Sequence, residues 1–308
     1  MATVVSTDRL TKDFKTGVWR PRIHRGLDGL TLDIPAGGVF GLLGPNGAGK
    51  STTLKLLLRL LTPTSGQASI FGLAPGDVRA HQRLGFLPEN PAFYDYLSAE
   101  ELLVYFAGLC GATAADAKSR AAAMLDQVGI GADRRRPLRQ YSKGMIQRVG
   151  IAQALVNDPE LVILDEPMSG LDPVGRREVR ELIMKLRDEG RTVLFSSHIL
   201  SDAELLCTRV GILARGKLVA SGALTELTAA GRRGNEVVAS NVTDGLAASM
   251  APRVTRTTRI GDGRYAFDLK TEEAVEPFIA ALAAAGAALV SVQPLRTSLE
   301  DVFMESVK

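Results

Sequence analysis

One octapeptide constrains this chain more than any other part of it. Gly44-Pro-Asn-Gly-Ala-Gly-Lys-Ser51 follows a short apolar run at 39–43 and precedes an apolar stretch at 51–61 that stops near Pro63. The first run has the length of a buried strand, and the second reads as a helix. A glycine-rich turn from strand to helix, closed by Lys-Ser, has the spacing of a phosphate-binding loop. Glycines at 44, 47 and 49 let backbone N–H groups curl around phosphate oxygens. The helix that follows adds partial positive charge at its N-terminus. Lys50 supplies a cation for β- and γ-phosphates, and the Ser51 hydroxyl can hold Mg²⁺. The candidate phosphate-binding residues are therefore Gly44, Pro45, Asn46, Gly47, Ala48, Gly49, Lys50, Ser51 and Thr52.

The run Leu-Val-Ile-Leu at 161–164 delivers Asp165 and Glu166 at its C-terminal end. It is uniformly apolar, as strands of a parallel sheet covered on both faces are. In open α/β sheets ligands sit at the carboxyl ends of the strands. Asp165 is thus placed to hold Mg²⁺ through water, and Glu166 to orient or deprotonate an attacking water. Runs 193–196 and 210–213 predict further strands. Residues 173–190 predict a charged amphipathic helix ending at Gly190. Ser98 ahead of Glu100 and Glu101 predicts the start of helices over 98–127. Alternating apolar positions in 1–35 (Val4, Val5, Leu30, Leu32, Ile34) predict strands at a sheet edge. Between them lies a basic stretch, 15–25, with Trp19 inside it.

The 308 residues suggest about two domains. Charged residues at 23% with few low-complexity tracts exclude a disordered chain, and a net charge of +3 does not point to nucleic acid. No run reaches the roughly 18 apolar residues of a membrane helix. The longest weakly polar run, 278–292, is mostly alanine. Residues 1–13 carry Asp8, Arg9, Lys12 and Asp13 and no apolar core of signal-peptide length, so a cytosolic chain is expected. Cys110 and Cys207 are isolated and are expected to be buried, unreactive thiols. Composition shifts near residue 222, and 221–235 reads as a linker. Beyond it the pattern is strand 236–240, helix 243–250, strand 253–260, turn 261–263, strand 264–270, helix 272–285, strand 287–293 and helix 297–307. That order suggests a ferredoxin-like module.

Tyr141-Ser-Lys-Gly-Met145, followed by Gln147 and Arg148, resembles the signature LSGGQ of the nucleotide-binding subunits of ATP-binding cassette (ABC) proteins. The resemblance covers roughly residues 4–225. It implies an α/β P-loop NTPase cassette over 1–225 with a mixed sheet and a helical subdomain at about 88–158. An accessory α+β domain over 226–308 follows. In the family, this signature closes on the γ-phosphate of ATP held by a partner subunit. Ser142 and Gly144 match it, whereas Tyr141, Lys143 and Met145 depart from it. Lys143 either adds a cation near the phosphate or is a solvated lysine at a helix start. Ser169-Gly-Leu-Asp172-Pro173 looks like the loop that crosses the dimer interface. His198 looks like the switch histidine that reads the γ-phosphate; His24 and His81 gain no such support. Glu89 stands where the family has a glutamine. It can ligate Mg²⁺ but cannot donate a hydrogen bond while ionised. Phe14 fits the adenine-stacking aromatic, against the alternative of a strand-end core residue; Trp19 is a weaker candidate.

The ending Ser298-Leu-Glu-Asp-Val-Phe303 resembles the appended region of bacterial type-two ABC exporters. The resemblance therefore implies an ATPase using ATP and Mg²⁺, with Lys50, Glu166 and His198 in catalysis. Two copies would sandwich two ATP molecules and drive separate transmembrane permease subunits, with 90–96 facing the membrane partner. The chain would sit peripherally on the cytoplasmic face of the inner membrane, with no nucleic-acid partner. The competing reading is a soluble ABC-type ATPase acting on nucleic acid or the ribosome. Against it stand the single phosphate loop, the absence of sustained heptads over 51–140 and the near-neutral charge. The C-terminal module is either a packing and dimer-stabilising element or a small-molecule sensor.

Overall fold

The computed structural model describes residues 2–17, 22–229, 232–269, 274–296 and 298–307. Contacts divide the chain into Met1–Leu224 and Thr225–Ser306. The first unit carries strands β1 (Thr3–Thr16), β2 (Arg22–Pro35), β3 (Gly38–Leu43), β4 (Ser65–Ile70), β5 (Leu84–Leu87), β6 (Leu161–Leu164), β7 (Thr192–Ser197), β8 (Arg209–Ala214) and β9 (Lys217–Ala223). Its helices are α1 (Lys50–Leu57), α2 (Val78–His81), α3 (Ala99–Leu109), α4 (Ala114–Gln127), α5 (Lys143–Leu155), α6 (Pro173–Asp188) and α7 (Leu200–Leu206).

A six-stranded sheet of order β5-β6-β7-β3-β8-β9 carries the phosphate loop and the acidic pair. β5, β6, β7, β3 and β8 run parallel, and β9 returns antiparallel on β8. Every residue of β6 and β7 is buried. Parallel strands covered on both faces lose the polar-apolar alternation of a half-exposed sheet, which is why Leu-Val-Ile-Leu was legible as a strand. The strands are in tight register: Leu164 pairs with Phe195, and Leu43 with Ser197. The loops after β3, β6 and β7 therefore open at one end of the sheet.

β1 and β2 do not edge that sheet. They pair with each other, and β1 also pairs with β4, in a separate antiparallel sheet of order β2-β1-β4. The basic stretch is largely built into the two strands, with Lys15 paired to Ile23 and Thr16 to Arg22. Trp19 lies outside the described residues. α1 ends at Leu57 rather than running on to residue 61, because Arg59 turns to φ +59° and the N–H groups of Leu60 and Leu61 fold back onto Lys55 O.

Helices α3, α4 and α5 pack around Leu102, Leu103, Leu125, Val128 and Val149. α3 opens on a capping box: the Glu101 N–H donates to Ser98 Oγ while the Glu101 carboxylate accepts from the Ser98 N–H. The Ser98 N–H and the Ser98 hydroxyl both donate to that carboxylate and hold it below its ordinary range. Cys207 is buried, and burial pushes its thiol far up; Cys110, expected to be buried, is exposed.

The segment expected as a linker is structured where described: β9 runs to Ala223, and helix α8 (Leu224–Ala229) follows. The second unit continues with β10 (Arg232–Ser240), α9 (Asp244–Met250), β11 (Arg256–Gly261), β12 (Arg264–Leu269), α10 (Val275–Ala284), β13 (Ala288–Arg296) and α11 (Leu299–Val307). Its sheet, β11-β12-β10-β13, is antiparallel throughout. That is the strand order of a split β-α-β arrangement. Phe267 and Phe278 meet edge to face at 5.3 Å in its core, beside Val237 and Leu282.

Phe195 is fully buried at the centre of the parallel sheet. Phe195→Ala should lower stability by about 3–5 kcal/mol through lost burial and the cavity left behind. A denaturant unfolding midpoint unchanged from the parent would contradict this placement.

Candidate nucleotide site

Phosphate-loop geometry begins with Gly44, at φ +149°, where a Cβ would stand 2.2 Å from Leu213 O. No side chain fits there, so the glycine is a packing requirement of the turn. The loop ends at Gly49, which starts α1 in the left-handed region with no side chain capping the helix. The first N–H groups of α1 are thus left for an external acceptor, and an anion is the acceptor the helix dipole favours.

Lys50 is buried, and its Nζ donates to Gly44 O at 2.8 Å and lies 3.1 Å from Glu166 Oε1. On the other side of that carboxylate, His198 Nδ1 lies 2.8 Å from Oε2. An ionised carboxylate only accepts, so Nδ1 carries the proton of this contact. Glu166 itself sits at φ +49°, a conformation that costs a residue with a Cβ about 1–2 kcal/mol. The turn swings its side chain from the end of β6 to between the phosphate loop and β7. Ser51 Oγ donates to Asp165 Oδ1 at 3.1 Å, and Ser196 Oγ donates to the same oxygen at 2.6 Å. The Glu166 N–H donates to Ser196 Oγ at 2.9 Å.

An open cavity of about 360 Å³ lies over this network, lined by Asn46 to Thr52, Glu166, Glu89, Phe14, Gly26 and His24. Glu89 is exposed at its rim. Phe14 lies against Gly26, where an added Cβ would stand 2.5 Å from the ring, and Lys12 Nζ sits 5.5 Å from the ring centroid. His24 and Gly26 are wall residues that the sequence did not single out. His24 pairs directly with Phe14 across β1 and β2. The signal was the spacing: Phe14 and His24 stand five positions either side of residue 19, so folding 15–25 back on itself makes them neighbours.

Ser142, Gly144 and Asp172 do not line that cavity. They line a second cleft of about 290 Å³ with Lys143, Gly170 and Gly175. Ser142 caps α5 by accepting from the Met145 N–H, and Asp172 caps α6 by accepting from the Gly175 N–H. Lys143 lies across Gly170, its Nζ 2.2 Å from where a Cβ of that residue would be. Behind His198, α7 is tied to α6 by Arg180 Nη1 and Asp202 Oδ1 at 3.0 Å; Asp202 is 3% exposed.

The sequence model described as "ABC transporter" matches residues 27–169. An ABC transporter ATP-binding protein of Synechocystis, itself uncharacterized, is 42% identical over 100% of this chain and 85% of its own length. A linearmycin resistance ATP-binding protein of Bacillus subtilis is 32% identical over 90% of this chain and 91% of its own. Among solved structures, a dimeric ATP-binding cassette in a post-hydrolysis state bound to ADP and Pi matches with a TM-score of 0.65. It is 26% identical, covering 71% of this chain and 98% of that one.

Removing Arg180 would strand a buried carboxylate. Arg180→Ala should cost about 3 kcal/mol, and adding Asp202→Asn should return part of it. Urea unfolding of the two variants checks this; equal stability of Arg180→Ala and the parent would contradict it.

Proposed function

The chain belongs to the ATP-binding subunits of ABC transporters and is an ATPase; we propose that it powers an exporter whose membrane-crossing part is a separate chain. The observation that carries the site reading is the convergence of Lys50, Glu166 and His198, with the Ser51–Asp165 pair beside them. ATP lies in the 360 Å³ cavity with its triphosphate on Gly44 to Thr52 and its base against Phe14. Backbone N–H groups of Gly47, Gly49 and the start of α1 hold the β-phosphate, and Lys50 bridges the β- and γ-phosphates.

Ser51 and Asp165 supply hard oxygen donors next to where those phosphates lie, with Glu89 at the rim, and this donor set suits Mg²⁺. Held there, Mg²⁺ would supply charge neutralisation on the phosphates. Glu166 orients the attacking water and accepts its proton, and His198 reads the γ-phosphate. Lys50 and His198 fix the two oxygens of the Glu166 carboxylate, so the base is aimed before substrate arrives.

Ser142, Gly144 and Asp172 lie in a cleft apart from that cavity, which supports their use by a second copy. Two copies then enclose two ATP molecules, each held by the phosphate loop of one and the Ser142–Gly144 edge of the other. ATP bridges the copies, and loss of the γ-phosphate releases them.

No helix among the described residues is long and apolar enough to cross a membrane. An apolar groove lined by Pro88, Pro91, Phe93, Phe106 and Cys110 lies beside the exposed Tyr94 and Tyr96. It is the surface we assign to the membrane partner, which would hold the chain peripherally at the cytoplasmic face of the membrane. Export as the direction rests on the resistance relative and on the resemblance of the C-terminal ending.

Glu166→Gln should keep ATP binding while lowering hydrolysis by about 100-fold or more. Turnover near that of the parent would remove Glu166 from its role. Gly26→Val should push the Phe14 ring out of place and raise the ATP Kd by about 3–10-fold, the worth of one aromatic contact. An unchanged Kd would remove Phe14 from base binding. Both are read with purified full-length chain, by phosphate release and by equilibrium nucleotide titration.

A further inference from the structure

Ser196 opens the Ser-Ser-His run that ends at the switch histidine, and its hydroxyl touches both acidic residues. It donates to Asp165 Oδ1 at 2.6 Å and accepts from the Glu166 N–H at 2.9 Å. The residue is completely buried in β7, two positions before His198. We propose that Ser196 is a positioning residue for ATP hydrolysis, fixing the Asp165 carboxylate and the Glu166 backbone through a single hydroxyl.

Register carries the first part of the argument. Leu164 of β6 pairs with Phe195 of β7. The first residue beyond β6, Asp165, therefore meets Ser196. A slip by one residue would turn the hydroxyl to the opposite face of the sheet. The second part is conformational. Glu166 is held at φ +49°, and strained backbone persists where surrounding bonds over-determine it. The Ser196 hydroxyl supplies one of those bonds, and the Ser169 N–H, donating to Glu166 O at 3.0 Å, supplies another.

The third part is hydrogen-bond economy. Ser196 gives its one proton to Asp165 and takes one from Glu166. Without the hydroxyl, the buried Glu166 N–H loses its partner, and the Asp165 oxygen keeps only Ser51 at 3.1 Å. The carboxylate of Glu166 would then be free to leave its place between Lys50 and His198. Contacts of the phosphate loop with nucleotide would stay largely as they are, because the Ser196 hydroxyl bonds Asp165 and Glu166 and not residues 44–52.

This inference rests on the reading of Glu166 as the residue that orients the water, and the two can be separated. The informative comparison is Ser196→Thr against Ser196→Val, which share size and differ by the hydroxyl. Ser196→Ala serves as the smaller control. In the full chain, Ser196→Val and Ser196→Ala should lower kcat by about 10–100-fold, and Ser196→Thr should stay within about threefold of the parent. The Kd for ADP, measured by equilibrium titration without turnover, should change by less than about threefold in all three. Equal losses in Thr and Val, a kcat for Ala near the parent value, or a Kd that rises in step with the fall in kcat would overturn the assignment. If Glu166→Gln itself keeps full turnover, the reading of Glu166 fails. If Glu166→Gln is inactive while Ser196→Ala is not, only the role of Ser196 fails.

Discussion

Everything at the nucleotide site depends on the pairing of β3, β6 and β7. Their register places three chain turns at one end of the sheet and sets which residues leave it. Leu43 meets Ser197, so the phosphate loop departs level with the approach to His198. Leu164 meets Phe195, so Asp165 and Glu166 depart one strand away. Such pairing is enforced by burial rather than by the site itself. Every residue of β6 and β7 is buried, and a slip by one residue would exchange the side chains that face the two covered sides of the sheet. The chemistry of Lys50, Glu166 and His198 is therefore a consequence of hydrophobic packing several residues away.

The charges that result are compensated locally. Lys50 and Glu166 are both nearly inaccessible, and a buried charge is tolerated only when paired and hydrogen-bonded. Lys50 has two loop carbonyls besides the carboxylate, and Glu166 has His198 besides the ammonium. A triphosphate brings further negative charge to that balance, and the uncapped N-terminus of α1 with its glycine start is the group placed to accept it.

What the sequence made legible follows the range of the interactions. The phosphate loop, β6 with its two acids and the cap at Ser98 are local: the residues and their spacing contain the physics. The split β-α-β order of the second unit was also readable, because its turns and alternation are short-range. The separate sheet of β1, β2 and β4 was not, since alternation says that a strand has one buried face but not which sheet it joins. His24 was missed because only its cross-strand pairing with Phe14 brings it to the cavity wall, and the contact of Ser196 because only the sheet register brings its hydroxyl to Asp165. The signature residues were found as a motif, but the sequence could not show that Ser142 and Asp172 stand in a cleft apart from the phosphate loop of their own chain.

That separation makes the sharing of ATP between two copies the central claim. The most direct test is a structure of the Glu166→Gln chain determined with ATP and Mg²⁺. The account predicts two copies with two nucleotides. Each triphosphate should rest on Gly44 to Thr52 of one copy and within hydrogen-bond reach of Ser142 and Gly144 of the other. Nucleotide bound to a lone copy with its γ-phosphate away from any second chain, or a triphosphate seated outside the cavity over Lys50, would contradict it.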